Sequence, residues 1–305
     1  MQARSDGDPK PFLVSPRFSL VRDIAFAFRS EIYVALRTLG SRLVLFVPAL
    51  FVALQYGLTK IRDTGAAARD SLTGSSDFDA EIANNAYGHF VDGLDTGLTL
   101  LGLLLVAQAA YSFSAERDSG AIRHLAVRCS SRAAIGLAKL AQLHVLALLS
   151  CLVLLVTCYG LSSMLWEFGP VVEDGFELIS EEEIRQEIGL GLRLALLPLP
   201  AAIALGLAVS VLANTSTQAV ASALGITLIL DIFKTALGDN ALYLYATYQP
   251  SLLDQSYLQD VSRLVRGFSD VLIDQRFLEL NNWVPIPTLV LLVIVMLVII
   301  QRRKI

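Results

Sequence analysis

The sequence predicts an all-α integral membrane protein with six membrane-spanning helices. Of its 305 residues, 54% are hydrophobic and 17% are charged, whereas an ordinary soluble domain has about 25% charged residues. The apolar residues also occur in long blocks, and a block of about 20 residues matches a hydrocarbon core about 30 Å thick. A chain of this length could not bury so much apolar surface inside a soluble fold. The composition therefore excludes a soluble enzyme.

The apolar blocks divide the chain into spans and connecting segments. We expect a single transmembrane domain over residues 1–305, with a flexible tail at 1–16, an interfacial amphipathic helix at 17–39 and an extracytoplasmic segment at 238–283. The spans are predicted at about 43–60, 94–113, 137–161, 190–213, 219–237 and 284–300. The first block is short, and the stem of Lys60 is expected to extend it by snorkelling.

The distribution of charge predicts how the chain is oriented in the membrane. An even number of spans places both termini on one side, and most of the 24 basic residues lie in the segments on that side. The opposite side carries an acidic run before span 4, at Glu181, Glu182, Glu183 and Glu187. Positively charged loops stay in the cytoplasm, so both termini are predicted to be cytoplasmic, in the plasma membrane (the inner membrane) of a bacterium. This charge polarity gives no reason to expect nucleic acid as a partner.

The segment before span 1 has the pattern of an amphipathic helix. Apolar residues such as Ile24, Phe28 and Ile32 recur at helical spacing, and an opposing stripe carries Arg22 and Arg29. This pattern is typical of a helix that lies in the membrane interface. The alternative is a soluble amphipathic helix packed on a cytoplasmic partner. A break is expected at Gly40, before span 1.

The loop after span 2 is the segment in which we expect the residues that contact a partner. Asp118 or Ser119 could cap a short helix that presents Ile122 and Leu125 on one face, and basic residues surround the rest of it. Such a helix, set between two spans, would suit docking of a cytoplasmic domain. A basic turn that contacts anionic lipid headgroups is the alternative.

This loop resembles a known family. The residues Glu116, Gly120, Leu125, Ser131-Arg132 and Lys139 resemble the pattern E-R-E-x-G-T-L-x-L-L-L-x-x-P-V-S-R followed by G-K, which is common in permease subunits of type-2 ABC exporters. The sequence departs from that pattern at Ala121, Cys129 and Ala138. The resemblance covers the whole chain and implies that the loop forms a cytoplasmic coupling helix docked on an ATP-binding subunit. The implied coupling residues are Glu116, Gly120, Ile122, Arg123, His124, Leu125, Arg128, Arg132 and Lys139.

The resemblance also implies the partners. The chain contains no G-x-x-x-x-G-K-[ST] motif, so it lacks the loop that cradles phosphates in P-loop ATPases. ATP and Mg²⁺ would therefore bind two copies of a separate P-loop ATPase, and no cofactor is expected on this chain. A second permease subunit, either the same chain or a relative, completes the implied unit among the membrane lipids. Helices between spans 5 and 6 would be re-entrant or interfacial, with an external domain as the alternative. A further extracytoplasmic partner and the cargo are left open.

The membrane interior holds two further features. Asp231 and Lys234 are three residues apart in span 5, so they share a helix face and are expected to pair. They would either line the transport route or subunit interface, or form a structural ion pair near the outer end. Pro198 and Pro200 are expected to kink span 4, and the small residues that follow should let helices approach closely.

Two other classes of function were weighed against transport. If the chain is a scaffold or sensor subunit with the same fold, a substrate would not stimulate ATP hydrolysis by the assembled complex. An intramembrane enzyme would need a nucleophile and a base at one depth, but His144 and Ser150 point to different faces of span 3. The three histidines fall in different compartments of the predicted topology, so no shared metal site is expected.

Overall fold

The computed structural model describes residues 20–73, 85–120, 131–173, 176–251, 257–267 and 275–302. Its elements are, in order, α1 (Leu20–Ala35), α2 (Leu39–Thr73), α3 (Ala86–Asp118), α4 (Arg132–Leu165), β1 (Val171–Glu173), β2 (Phe176–Ile179), α5 (Glu181–Leu196), α6 (Leu199–Leu212), α7 (Ser216–Phe233), two 3₁₀ helices (Thr235–Tyr243 and Tyr245–Tyr248), α8 (Tyr257–Val265), α9 (Gln275–Trp283) and α10 (Pro285–Arg302).

The described residues include six helical segments that are long and apolar enough to cross a membrane. They are Leu39–Arg69, Ala86–Asp118, Arg132–Leu165, Glu181–Leu212, Ser216–Phe233 and Gln275–Arg302. The protein is therefore an all-α integral membrane protein with six candidate spans. We call the end that contains α1, the start of α4 and the end of α10 the basal end, and the end that contains the β1–β2 hairpin the distal end.

Most helices extend beyond the apolar blocks that the sequence marks. Helix α2 continues to Thr73, although serines and glycines after Lys60 favoured irregular structure there. Lys60 Nζ donates to the carbonyl of Leu165 at 2.7 Å and so caps the end of α4; the predicted snorkelling of its stem stays a prediction. Ser180 and Glu183 form a capping box, a pattern that marks a helix start in sequence, and this cap begins span 4. The break before span 1 comes at residues 36–38 rather than at Gly40.

Span 4 is broken between α5 and α6, as its prolines predict. Because Pro198 has no N–H, it cannot donate to the carbonyl of Leu194 one turn earlier. The side-chain amide of Asn281, at the end of α9, donates to that carbonyl at 3.1 Å instead. Asn281 is fully buried. The proline break therefore fixes where α9 docks.

Replacing Asn281 with alanine should destabilise the bundle by about 1–3 kcal/mol, because the Leu194 carbonyl would be left buried without a donor. In a Pro198→Ala background the same substitution should cost less, since an alanine restores the backbone N–H that span 4 lacks. Thermal unfolding of the four proteins in mild detergent gives the double-mutant cycle. Equal costs in both backgrounds would show that the carbonyl does not need Asn281.

Spans 2 and 4 pack closely through small residues. The small residues Ala201, Ala202 and Ala204 in α6 are buried. A Cβ atom at Gly206 would lie 2.6 Å from the backbone carbonyl oxygen of Val106. Small residues allow helix backbones to approach within a membrane, so this run serves close packing as its composition predicts.

The distal end is held by polar contacts between α8 and span 2. Ser262 donates to Asp92 at 2.6 Å, Arg266 forms an ion pair with the same carboxylate, and Gln259 donates to Asp95 at 3.0 Å. The apolar side of α8, including Leu258, is buried in the core. This helix therefore packs into the bundle rather than into a separate external domain.

Candidate functional site

The candidate site lies at the basal end, where α1 crosses the beginning of α4. The inward side of α1 carries Asp23 and Ala27, both buried, and Glu31, whose side chain is 11% exposed. Val21 and Phe26 are exposed. The apolar stripe that sequence periodicity indicates is therefore not the whole contact face of α1, because two carboxylates point into the bundle.

Lys139 is the centre of the site. Its side chain is 1% exposed, and its Nζ lies 2.9 Å from Oε1 of Glu31 and 2.5 Å from Oε1 of Glu116. Glu31 comes from α1, Glu116 from the end of span 2 and Lys139 from the start of span 3. One buried ammonium group therefore joins three separate elements. We call these three residues the basal triad.

The basal triad contains one negative charge more than its lysine neutralises. The second oxygen of Glu116 is buried and has no hydrogen-bond partner among the described residues. Burial raises the pKa of the Glu31 carboxyl above its ordinary value of 4.5; Lys139 opposes this rise and Glu116 adds to it. The Glu31 carboxyl therefore binds a proton more readily in the folded chain than in the unfolded chain, chiefly because it is buried.

This pKa predicts how stability depends on pH. Above pH 4.5 the unfolded chain releases the Glu31 proton while the folded chain still holds it, so the free energy of unfolding falls as pH rises through the folded pKa. Glu31→Gln should remove that part of the slope. Thermal midpoints in detergent between pH 4.5 and 8 provide the measurement, with the exposed carboxylate of α9, Glu279→Gln, as control. An unchanged slope in Glu31→Gln would contradict the predicted shift.

The two ends of the loop after span 2 are formed by helix caps. Helix α3 ends at Asp118, and Gly120 follows with a φ of 75°, a conformation that favours glycine after a helix C-terminus. At the other end, the Ser131 side chain accepts from the N–H of Ala134 at 3.2 Å and caps α4. The glycine and the serine of the motif therefore fix where the loop leaves span 2 and where it enters span 3.

The end of span 2 is also tied to the turn between spans 4 and 5. The Arg117 guanidinium donates to the carbonyl of Ala213, and the carboxylate of Asp118 accepts from the N–H of Ser216 at 2.7 Å. Ser216 is the first residue of α7, where a carboxylate is favoured by the helix dipole. The Thr215 side chain accepts from the N–H of Gln218 at 3.2 Å and caps this helix.

The structure thus brings together part of the predicted coupling set. Glu116 and Lys139 form an ion pair, Gly120 ends α3, and Arg132 is the exposed first residue of α4. The other predicted coupling residues lie outside the described residues; they are Ile122, Arg123, His124, Leu125 and Arg128. Sequence reasoning missed Glu31. A carboxylate flanked by apolar residues on an interfacial helix is the signal that would have found it.

The predicted pair in span 5 is present at the far end of α7. Lys234 Nζ lies 2.8 Å from Asp231 Oδ1, with side-chain exposures of 4% and 15%. Ser251 donates to the same carboxylate at 2.7 Å. Asp231 also lines a cleft between spans 2, 4 and 5. The pair is therefore a satisfied ion pair, and its part in a transport route or subunit interface stays a prediction.

Comparison with known proteins identifies the family. A family model described as "ABC-2 family transporter protein" matches residues 28–302. The match begins inside α1, includes the basal triad and ends at the last residue of α10. Searches of the curated proteins and of the solved structures found no match. The chain belongs to the ABC-2 transporter family and is a multi-pass membrane permease subunit of that type.

Proposed function

We propose that this permease subunit is driven by a separate P-loop ATPase and that it exports its cargo. The observation that carries the proposal is the basal triad. It connects α1 to the two spans that border the loop of residues 121–130. A displacement of this loop would therefore move α1, span 2 and span 3 together.

The transmission would follow from the contacts at the loop ends. Gly120 follows the end of α3, and Ser131 caps the start of α4. The ion pair between Lys139 and Glu116 joins these two helices close to the loop. The contacts from Arg117 and Asp118 extend the connection to the turn that begins span 5. The partner would bind ATP and Mg²⁺, and this chain would respond by a shift between two conformational states with no covalent step of its own.

The remaining parts of the proposal concern the assembly. Two ATPase copies and two permease subunits would form the working unit, in a bacterial inner membrane with both termini in the cytoplasm. The placement of basic residues at the basal end and of the acidic run at the distal end supports that orientation. A scaffold or sensor role uses the same fold, and the assembled complex distinguishes it by the absence of cargo-stimulated ATP hydrolysis.

Purification of the full chain from its native membrane in mild detergent tests the proposal. Mass identification should find a P-loop ATPase in equal amount, and Leu125→Asp together with Arg128→Asp should release it while the permease still elutes as a folded protein. The matched control is Arg62→Gln, on the exposed distal extension of α2, which should retain the ATPase. A permease that carries no ATPase in several detergents and in lipid nanodiscs would overturn the proposal.

A further inference from the structure

A groove lies between three elements at the basal end, and no residue of the basal triad lines it. It runs between the end of α1, the beginning of α2 and the middle of α4, and its volume is about 310 Å³. This volume falls at the lower end of the range of about 300–1,000 Å³ that is typical of small-molecule sites. We call this space the basal groove.

The walls of the basal groove are mostly apolar and face outward from the bundle. Leu45 and Phe46 of α2 form one wall, and Val145 and Leu149 of α4 form the other. Phe46 is 56% exposed and Leu149 is 49% exposed. Both helices belong to candidate spans, so in a membrane the open side of the groove would face hydrocarbon. An alkyl chain is the occupant that such walls favour.

The mouth of the groove has the opposite character. Among the described residues that line the groove, Arg42 is the one charged side chain and none is a carboxylate. Its guanidinium donates to the carbonyl of Leu36 at 3.4 Å, a long contact for one of five donors. Ser41, also in the lining, belongs to the first turn of α2, where backbone N–H groups add positive potential.

A second arginine, Arg37, lies in the break between α1 and α2, close in sequence to the groove but outside its lining. The Arg37 guanidinium is stacked over the ring of Tyr33, 4.3 Å from its centroid, and Tyr33 is 56% exposed. An exposed aromatic ring beside arginines is typical of the headgroup level of a membrane. The groove therefore presents positive charge at headgroup depth and an apolar channel below it.

We propose that the basal groove is a binding site for one anionic glycerophospholipid. Its phosphate contacts Arg42 and the first turn of α2, and one acyl chain lies between Phe46 and Leu149. The charge at the mouth selects an anionic headgroup over a zwitterionic one, and the apolar walls select an acylated molecule over a soluble phosphate. Because Ile32 and Ala35 of α1 also line the groove, the bound lipid holds α1 in the position from which Glu31 reaches Lys139.

Native mass spectrometry of the full chain, purified in mild detergent and titrated with phosphatidylglycerol, tests the site. Arg42→Gln should weaken binding of the first lipid about fivefold, the effect of removing about one headgroup-level basic contact. Arg62→Gln removes the same charge from the distal part of α2 and should leave the affinity unchanged. Equal affinities for the wild type and both variants would overturn the proposal.

Two comparisons test the lipid chemistry. Phosphatidylcholine should bind to the wild type at least fivefold more weakly than phosphatidylglycerol. The Arg42→Gln variant should bind the two lipids with equal affinity. Soluble glycerol phosphate should not displace the lipid, because it lacks the chain. Val145→Phe, which narrows the apolar channel without changing charge, should also weaken binding while thermal stability stays near that of the wild type. Displacement by glycerol phosphate, or equal binding of the two lipids, would contradict the assignment.

Discussion

Replacing Lys139 with methionine should lower the free energy of unfolding by about 3–5 kcal/mol, because two largely buried carboxylates would lose the cation that pairs with both of them. Lys139 is 1% exposed and lies within 3 Å of both Glu31 and Glu116. In mild detergent the thermal midpoint should fall by roughly 10 °C or more. Size-exclusion elution after heating provides the measurement.

Variants that remove other charges of the basal triad are the controls. Glu31→Gln leaves one lysine opposite one carboxylate and should not destabilise the protein at neutral pH. The triple variant Lys139→Met, Glu31→Gln, Glu116→Gln removes every charge and should recover most of the lost stability. If Lys139→Met is as stable as the wild type, or if the triple variant is no better than Lys139→Met, then the triad is not the contact that holds α1.

Replacing Gly206 with valine should separate spans 2 and 4. The first added carbon would lie 2.6 Å from the carbonyl oxygen of Val106 and 2.9 Å from the Cβ of Ala109. A backbone oxygen inside a helix cannot move aside as the end of a flexible side chain can. Overpacking of this kind typically costs about 1–3 kcal/mol, and a clash with backbone should reach or exceed the upper value.

Gly225 in span 5 is the matched control for Gly206. It is also a helical glycine, but among the described residues no atom outside its own stretch of helix lies within 4 Å of a Cβ built on it. Gly225→Ala should be neutral or stabilising by up to about 1 kcal/mol, because glycine is a weaker helix former than alanine. Thermal midpoints of the two variants give the comparison. A Gly206→Val protein as stable as Gly225→Ala would show that spans 2 and 4 are not in this close contact.

The sequence was a good guide wherever the signal is local. A block of apolar residues, a proline without its N–H, a Ser180–Glu183 capping box and an Asp231–Lys234 spacing of three each act within one or two helical turns. The structure contains all of these features. Each of these features depends only on residues that are close together in the chain, so it could be predicted from the sequence alone.

The contacts that build the candidate site were less accessible from sequence. Glu31 and Lys139 are 108 residues apart, and helical periodicity does not show which side of α1 meets the bundle. The sequence does not predict the β1–β2 hairpin, because three of the four residues of β2, Phe176, Glu177 and Leu178, are exposed and no alternating hydrophobic pattern marks the strand. Asn281 gives no local sign that it replaces a donor missing from span 4, because the two segments meet only in the folded bundle.

The central claim is that the basal triad makes α1, the end of span 2 and the start of span 3 one mechanical unit that an ATPase moves. Spin labels at Arg29 and Ala141, exposed on α1 and α4, measure the inside of that unit, and a pair at Arg29 and Gln186 measures it against the distal end. In the complex with its ATPase, nucleotide trapping should leave the Arg29–Ala141 distance unchanged and shift the Arg29–Gln186 distance. A changed Arg29–Ala141 distance, or no change in either, would contradict the account.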